Sequence, residues 1–399
     1  MSDKNRVVLA YSGGLDTSVI CHWLARKGYE VICCAVDVGQ GDDFDTMGKK
    51  AFNSGAKDFV IRDVKEKFVR EGLFWCMQAQ ARYEGEYIPC TAIARPFIMK
   101  EVVGVAHDYG AGAVAHGATA KGNDQVRFDF TVFALDNNLE IIAPWRDTKF
   151  VKLIPGRKEA IEYARCYHIH IAATAASPWS SDKNIGHASH EAGILENPWQ
   201  APPDDLFELV NLPWKLQGTA CTDIIVAFEK GVPVAVNGTR NDALTIMRWL
   251  NAVASSKGIG LYDIVEDRIL GMKSRGVYEA PGMTLLYGAY RALQQICLSK
   301  EDIHKSLHLG IDYGRDIYEG WWYSNFPKKK RHDRIIKKWR EAINGKVRMR
   351  LFRGNFLVIG RSSPNSLYSE QAGTMERDDD YDVTKVAEII KDKWKERNK

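Results

Sequence analysis

Through the first 170 residues of the chain, short unbroken apolar runs alternate with stretches whose apolar residues recur every three or four positions. Val7-Val8-Leu9-Ala10-Tyr11 is a run of the first kind, whereas Val19, Ile20, Trp23 and Leu24 are spaced to line one side of a helix. The pattern predicts strands over residues 7–11, 30–38, 57–62, 112–116 and 140–143, and helices over 17–27, 46–54, 65–82, 94–109 and 156–167. Gly28 supplies the stop between the first helix and the second strand. Strands joined by helical crossovers build a parallel, doubly wound α/β sheet. The run over 30–38 belongs in such a sheet, covered on both faces.

The character changes near residue 172. Residues 172–178 make a poor strand and a poor helix, and they open a polar loop expected to run through Ser189. The proline-rich stretch 196–203 must be irregular. Residues 223–228 and 232–236 flank a Glu-Lys-Gly turn and read as a hairpin. A helix is expected over 241–257, further helices to 319, and a second strand pair over 346–351 and 355–360 around Arg353-Gly354. This mixture predicts an α+β second domain. A tail follows in which Val383, Val386, Ile389, Ile390 and Trp394 share one face of a helix, as expected of an element that packs on another domain or subunit. The divisions expected are 1–170, 171–365 and 366–399.

Composition narrows the class. A chain of 399 residues with 45% hydrophobic and 27% charged residues is an ordinary globular protein. Its net charge of +4 gives no reason to invoke nucleic acid or membrane. Lys328-Lys329-Lys330-Arg331 and the cations after it read as the solvated face of a helix whose Ile335, Ile336, Trp339 and Ile343 point inward. The 8 cysteines show no C-x-x-C pair, which fits reduced thiols better than disulfides or a zinc site. With no basic-then-apolar leader at the start, a cytoplasmic location is expected.

The chemistry concentrates in two loops. Ser12-Gly13-Gly14-Leu15-Asp16-Thr17-Ser18 stands between the first strand and the first helix. There, backbone amides at a helix N-terminus converge on an anion, and the Ser12, Thr17 and Ser18 hydroxyls add donors. A Walker A lysine is missing, and so is the G-x-G-x-x-G fingerprint. The second loop, His116-Gly-Ala-Thr-Ala-Lys-Gly-Asn-Asp-Gln125, follows the strand over 112–116, where an open α/β sheet binds its ligand. No Ser/His/Asp or Cys/His arrangement is evident.

These residues resemble known families. The first loop matches the S-G-G-x-D-[ST]-S signature of the N-type ATP pyrophosphatases, which cleave ATP between the α and β phosphates. Nearly the whole chain is similar to the argininosuccinate synthases. A-Y-S-G-G-L-D-T-S stands at 10–18, G-A-T-x-K-G-N-D-Q-x-R-F at 117–128 and A-P-W-R at 143–146. P-[YW]-S-x-D-x-N stands at 178–184, E-A-G-I-L-E-N-P at 191–198, D-I-V-E-x-R at 263–268 and G-M-K-S-R-G-x-Y-E at 271–279.

The resemblance implies an ATP-dependent ligase that condenses L-citrulline with L-aspartate through a citrullyl-AMP intermediate, releasing AMP and pyrophosphate, in a homotetramer. It implies a nucleotide site at Ala10, Tyr11, Ser12, Gly13, Gly14, Leu15, Asp16, Thr17, Ser18, Val36 and Gly117. Mg2+ would bridge the phosphates, with Asp16 the nearest carboxylate. Aspartate would lie on Thr119, Asn123 and Asp124, with Asp124 holding its ammonium and helping it lose a proton. Citrulline would meet Tyr87, Asn123, Arg127, Ser180, Ser189, Glu266 and Tyr278. The chain departs from the family at Cys90-Thr91-Ala92, where G-[TS]-S is usual. A serine hydroxyl that meets citrulline is thereby lost at Ala92, with Thr91 the neighbour able to replace it. Ala120 stands for the more usual glycine. Two rival readings are an RNA thiolase on the same loop and a non-catalytic nucleotide sensor. The buried setting expected for Cys33 and Cys34 disfavours the first, and the intact Asn123-Asp124 disfavours the second.

Overall fold

A computed structural model describes residues 3–169, 179–218, 220–369 and 385–398. Its N-terminal sheet has five strands, β1 (Asp3–Ala10), β2 (Glu30–Asp37), β3 (Asp58–Asp63), β4 (Ala111–Ala115) and β5 (Glu140–Ile142). They lie in the order β3-β2-β1-β4-β5, all parallel. Alternating side chains of the two central strands feed two different cores. Val7, Leu9, Val31 and Cys33 pack with Ile20, Leu24 and Phe150 on one face, and Val8, Ile32 and Cys34 pack with Phe68, Phe74 and Ile93 on the other. The apolar reading of 30–38 follows from that double burial. The second core also takes in Leu285, Tyr287, Tyr290 and Met349, so one apolar body joins the sheet to the C-terminal half.

Helix α1 (Leu15–Arg26) follows β1, and α2 (Phe44–Asn53) follows β2. The helix expected over 65–82 is broken into α3 (Lys65–Lys67), a π-helical stretch Phe68–Leu73 and α4 (Phe74–Ala79), ended by Gln80 at φ 51°. Helix α5 (Cys90–Asp108) starts ahead of the expected 94, with Pro96 inside it. Helix α6 (Asp124–Leu135) was not foreseen, because the polar loop before it masks its start. Helices α7 (Thr148–Leu153) and α8 (Arg157–Cys166) complete this half.

The C-terminal half corrects two expectations. The polar loop expected through Ser189 is a hairpin of β6 (Ser180–Asn184) and β7 (His187–Glu191). After the expected hairpin β8 (Thr222–Glu229) and β9 (Val232–Val236) come the short β10 (Thr239–Arg240) and helix α9 (Ala243–Ser256). The next stretch, read as helical, begins with β11 (Leu261–Asp267) and β12 (Lys273–Glu279). Helices α10 (Pro281–Cys297), α11 (Lys300–Tyr318) and α12 (Pro327–Ala342) lead to β13 (Gly345–Phe352) and β14 (Asn355–Ser362). The strands form two antiparallel sheets, β10-β9-β8-β13-β14 and β11-β12-β7-β6.

On α12, Ile336 and Trp339 are buried, Lys328 pairs with Asp312 and Lys329 with Asp333, as read for a solvated basic face. The last helix, α13 (Val386–Arg397), buries none of its residues: Ile389, Ile390 and Trp394 are 48%, 62% and 68% exposed. Val383 and the 172–178 stretch lie outside the described residues.

Candidate active site

Strand order reverses around β1, since β2 and β4 flank it on either side, and a crevice opens there at the strand C-termini. Both loops singled out in the sequence lie at this point. The first leaves β1 and enters α1 with Gly14 at the N-cap and no side chain capping it, so the first-turn amides remain for a ligand. Gly13 sits at φ 69°, and a Cβ there would come within 2.8 Å of Met47, so glycine is required on both counts. Ser12 Oγ lies 3.2 Å from Thr17 Oγ1, and Tyr11 Oη lies 2.8 Å from the fully buried Ser18 Oγ. Ser18 therefore spends its hydroxyl inside the protein. Burial pushes the Asp16 carboxyl up, against the opposing charge of Arg157.

The second loop is held from beneath. His116 is fully buried, with Nε2 3.0 Å from Asp129 Oδ1 and Nδ1 accepting from the Ala118 amide at 3.3 Å. Arg146, the last residue of A-P-W-R, donates to Asp129 Oδ2 at 2.6 Å. Burial acts to raise the Asp129 carboxyl, but His116 and Arg146 outweigh it and hold it low. At the loop's far end Asn123 donates to Tyr318 Oη at 2.8 Å and accepts from the Ile269 amide at 2.9 Å.

Asp124, at the start of α6, lies between two arginines. Arg95 Nε reaches Oδ2 and Arg127 Nη1 reaches Oδ1, both at 2.9 Å. Burial opposes its charge, yet the two guanidiniums win and keep the carboxyl below its ordinary range. A carboxylate so held is an ion-pair partner with a lowered basicity. Arg95 also pairs with Asp182 of β6, linking the two halves. Arg127 donates to the Tyr318 carbonyl at 2.8 Å, with its guanidinium 4.7 Å from the Tyr318 ring centre.

The β11-β12-β7-β6 sheet supplies the opposite wall. Ser189 faces Asp182 on one side and Tyr278 on the other, and Ser180 faces Glu191. Because side chains alternate along strands, Ser180, Asp182, Ser189, Glu191, Tyr278 and Glu266 share one face. Gly276 makes room on that face, since a Cβ there would fall 2.0 Å from Tyr278 Oη. Glu266 Oε1 accepts from Tyr318 at 2.7 Å, while its buried Oε2 has no protein partner among the described residues. Burial raises the Glu266 carboxyl, opposed by the Tyr318 hydroxyl and Arg127.

Two cavities meet here. One of about 250 Å3 is lined by Tyr87, Thr91, Thr119, Asn123, Arg127, Ser180, Ser189, Glu266 and Tyr278, among others. The second, about 510 Å3, is lined by Ala10, Tyr11, Ser12, Asp16, Thr17, Val36 and Gly117, among others. Arg95, Gly117, Ala118, Asp124, Ser180 and Asp182 line both. The substrate residues singled out from the sequence thus come together in the smaller cavity. Of the nucleotide residues, Gly13, Gly14, Leu15 and Ser18 are set back from the wall of the larger one.

Cys90, Thr91 and Ala92 form the first turn of α5 and are not a free loop. Ala92 is fully buried, its amide 3.4 Å from Tyr87 Oη. Thr91 reaches the cavity wall and lies 2.8 Å from Nδ1 of His187, whose imidazole burial lowers to about 3. Sequence reasoning missed Arg95, Asp182, Glu191 and Arg268 as wall residues although all four stand in or beside the quoted motifs. It missed Tyr318 altogether, and no motif marks that position.

The model of the Arginosuccinate synthase N-terminal HUP domain matches residues 6–170, and that of the C-terminal domain of the same family matches 179–394. The argininosuccinate synthase of Moorella thermoacetica is 46% identical over 378 residues, 94% of this chain and 91% of its own. That of Carboxydothermus hydrogenoformans is 45% identical over 94% of this chain and 92% of its own. That of Syntrophus aciditrophicus is 43% identical over 97% and 95%. With both halves matched in order and the two-cavity geometry in place, the chain belongs to the argininosuccinate synthase family.

Proposed function

We propose that the protein joins L-citrulline to L-aspartate at the expense of ATP, giving argininosuccinate, AMP and pyrophosphate. The ureido oxygen of citrulline attacks the α-phosphorus, and pyrophosphate leaves. The aspartate amine then attacks the ureido carbon, and AMP leaves carrying that oxygen. Neither step needs a protein nucleophile, so the protein contributes position and charge.

The observation that carries this reading is the Glu266 carboxyl group, which lines the smaller cavity and keeps one oxygen, Oε2, enclosed without a close hydrogen-bond partner among the described residues. Burial disfavours its charge, and an incoming α-ammonium supplies the partner it lacks. In this reading Ser180 and Ser189 donate to the citrulline carboxylate, while Tyr87 and Tyr278 border the side chain. Arg127 lies near the ureido oxygen. Thr119, Asn123 and Asp124 receive aspartate. Arg95, on the wall of both cavities, would offset the charge that develops on the α-phosphate.

The pyrophosphate would rest on the amides of α1 and on the Ser12 and Thr17 hydroxyls. No group of three or more metal-binding side chains occurs among the described residues. A single carboxylate such as Asp16, on the wall of the larger cavity, fits a cation held chiefly by phosphates and water, as Mg2+ prefers. When bound, Mg2+ would neutralise phosphate charge.

Measuring pyrophosphate release while omitting ATP, Mg2+, citrulline and aspartate in turn tests the proposal. Sustained release is expected only with all four, and ADP in place of AMP would overturn it. The exposed apolar residues of α13 support packing of that helix on another subunit, and the family resemblance suggests that the assembly is a homotetramer. Deleting residues 382–399 should then lower the sedimenting mass; an unchanged, equally stable assembly would place the helix elsewhere.

A further inference from the structure

On the face of β6 opposite Ser180 and Asp182, Ser181 stands directly across from His190 of β7. Its Oγ lies 2.8 Å from His190 Nδ1, and His190 Nε2 lies 2.9 Å from Glu279 Oε1. The His190 and Glu279 side chains are fully buried, whereas Ser181 is exposed and lines the larger cavity. Nothing in the adenylation chemistry uses this row of three.

Its hydrogen-bond polarity can be worked out from the inner end. Glu279 Oε1 also accepts from the Glu208 amide at 2.8 Å, and Oε2 accepts from the amides of Leu209 at 2.8 Å and Val210 at 2.7 Å. Three backbone N–H groups thus donate to the two oxygens, and His190 Nε2 faces the position left on Oε1. An imidazole hydrogen on Nε2 completes that set of donors, and in this tautomer of the neutral ring Nδ1 is left as an acceptor. Ser181 must give its one hydroxyl hydrogen to Nδ1. Its oxygen then presents only lone pairs to the cavity. Phosphate oxygens, which only accept, find nothing to bond there, and a neutral donor does.

We propose that Ser181 contacts the nucleotide by accepting a hydrogen bond from a neutral donor, a ribose hydroxyl or the adenine amine, and that His190 and Glu279 are positioning residues that fix this polarity. The inference rests on the larger cavity being the nucleotide site. Loss of one such bond corresponds to roughly a two- to tenfold change in affinity.

The test is steady-state kinetics of Ser181→Ala, Ser181→Thr and His190→Phe with ATP, 2′-deoxy-ATP, 3′-deoxy-ATP and purine riboside triphosphate. Ser181→Ala should raise KM for ATP by about two- to tenfold, with the effect in KM more than in kcat and with little change for citrulline or aspartate. Ser181→Thr should restore it. With the analogue that lacks the contacted donor, wild type and Ser181→Ala should have the same KM, which separates ribose from adenine. His190→Phe should reproduce the shift and add nothing on top of Ser181→Ala. An unchanged KM for ATP, an equal shift with all four nucleotides, or a parallel weakening of pyrophosphate inhibition would overturn the proposal. A shift in KM for citrulline alone would instead remove the assignment of the cavity, and wild-type protein that releases no pyrophosphate would remove the functional reading itself.

Discussion

The two walls of the active site are built in contrasting ways. The parallel-sheet wall is made of two loops, each contiguous in sequence and each at the end of an apolar strand. The opposite wall is one face of an antiparallel sheet, and its side chains come from residues 180–191 and 261–279. The first wall carries its chemistry in short runs. The second carries it at every other position, on strands whose partners are far away in the chain. Asp124 and Asp182 show how the two depend on one another, since a single guanidinium, that of Arg95, holds both.

Breaking that link should have the largest effect. Arg95→Gln leaves two carboxylates facing each other across the cavity junction and removes a cation from the wall that the two cavities share. We expect kcat to fall by about 10²–10³-fold, the size seen when one transition-state donor is lost. A loss below about tenfold in single-turnover pyrophosphate release would mean that Arg95 only ties the walls together.

Glu266→Gln separates the walls by substrate. It keeps an acceptor for Tyr318 and removes the charge proposed to pair with the citrulline ammonium. A charge-assisted bond is worth about 1.5–3 kcal/mol, so KM for citrulline should rise roughly ten- to a hundredfold. Calorimetric titration of ATP should change little, because Glu266 does not line the larger cavity. Equal losses for both ligands would show that the two cavities act as one.

The contrast also explains what could be read in the sequence. Double burial of β1 and β2 leaves uninterrupted apolar runs, so the parallel sheet and the crevice at its strand ends were legible. β6 and β7 were not, because both of their faces carry polar side chains: Ser180 and Asp182 line the site, while Ser181 and His190 bond toward the buried Glu279. An alternation rule looks for a face of apolar residues, and Ala188 is the one such residue in these two strands. β11 fails for a related reason, with Val265 50% exposed and Glu266 buried. The individual residues Glu266, Tyr278 and Ser189 were named only through resemblance to a family. Tyr318 bonds to both Asn123 and Glu266, yet it ends a helix 195 residues from Asn123, and no local pattern points to it.

Asp124 gives a test by pH. Its folded-state carboxyl lies below the ordinary range, so the stability it contributes is present above the unfolded value of about 3.9 and fades as pH falls through the folded one. The gap in urea midpoint between wild type and Asp124→Asn should thus be widest near neutral pH and shrink below about pH 4. A gap of constant size into acid would show that charge on Asp124 does not stabilise the junction.

The smallest effect concerns the departure at Thr91-Ala92. Had Ala92 faced citrulline, Ala92→Ser would tighten binding by one hydrogen bond. Ala92 is fully buried in the first turn of α5, whereas Thr91 reaches the wall of the smaller cavity. Thr91 is therefore the residue expected to offer citrulline a hydroxyl, beside an imidazole whose burial lowers its pKa to about 3. Thr91→Val should raise KM for citrulline by about two- to tenfold, in line with one neutral hydrogen bond. Ala92→Ser adds an atom to a closed site, so it should cost thermal stability and move KM for citrulline less than about twofold. If Ala92→Ser tightened citrulline and Thr91→Val did nothing, the first turn of α5 would have to open in solution, and Ala92 would belong to the wall after all.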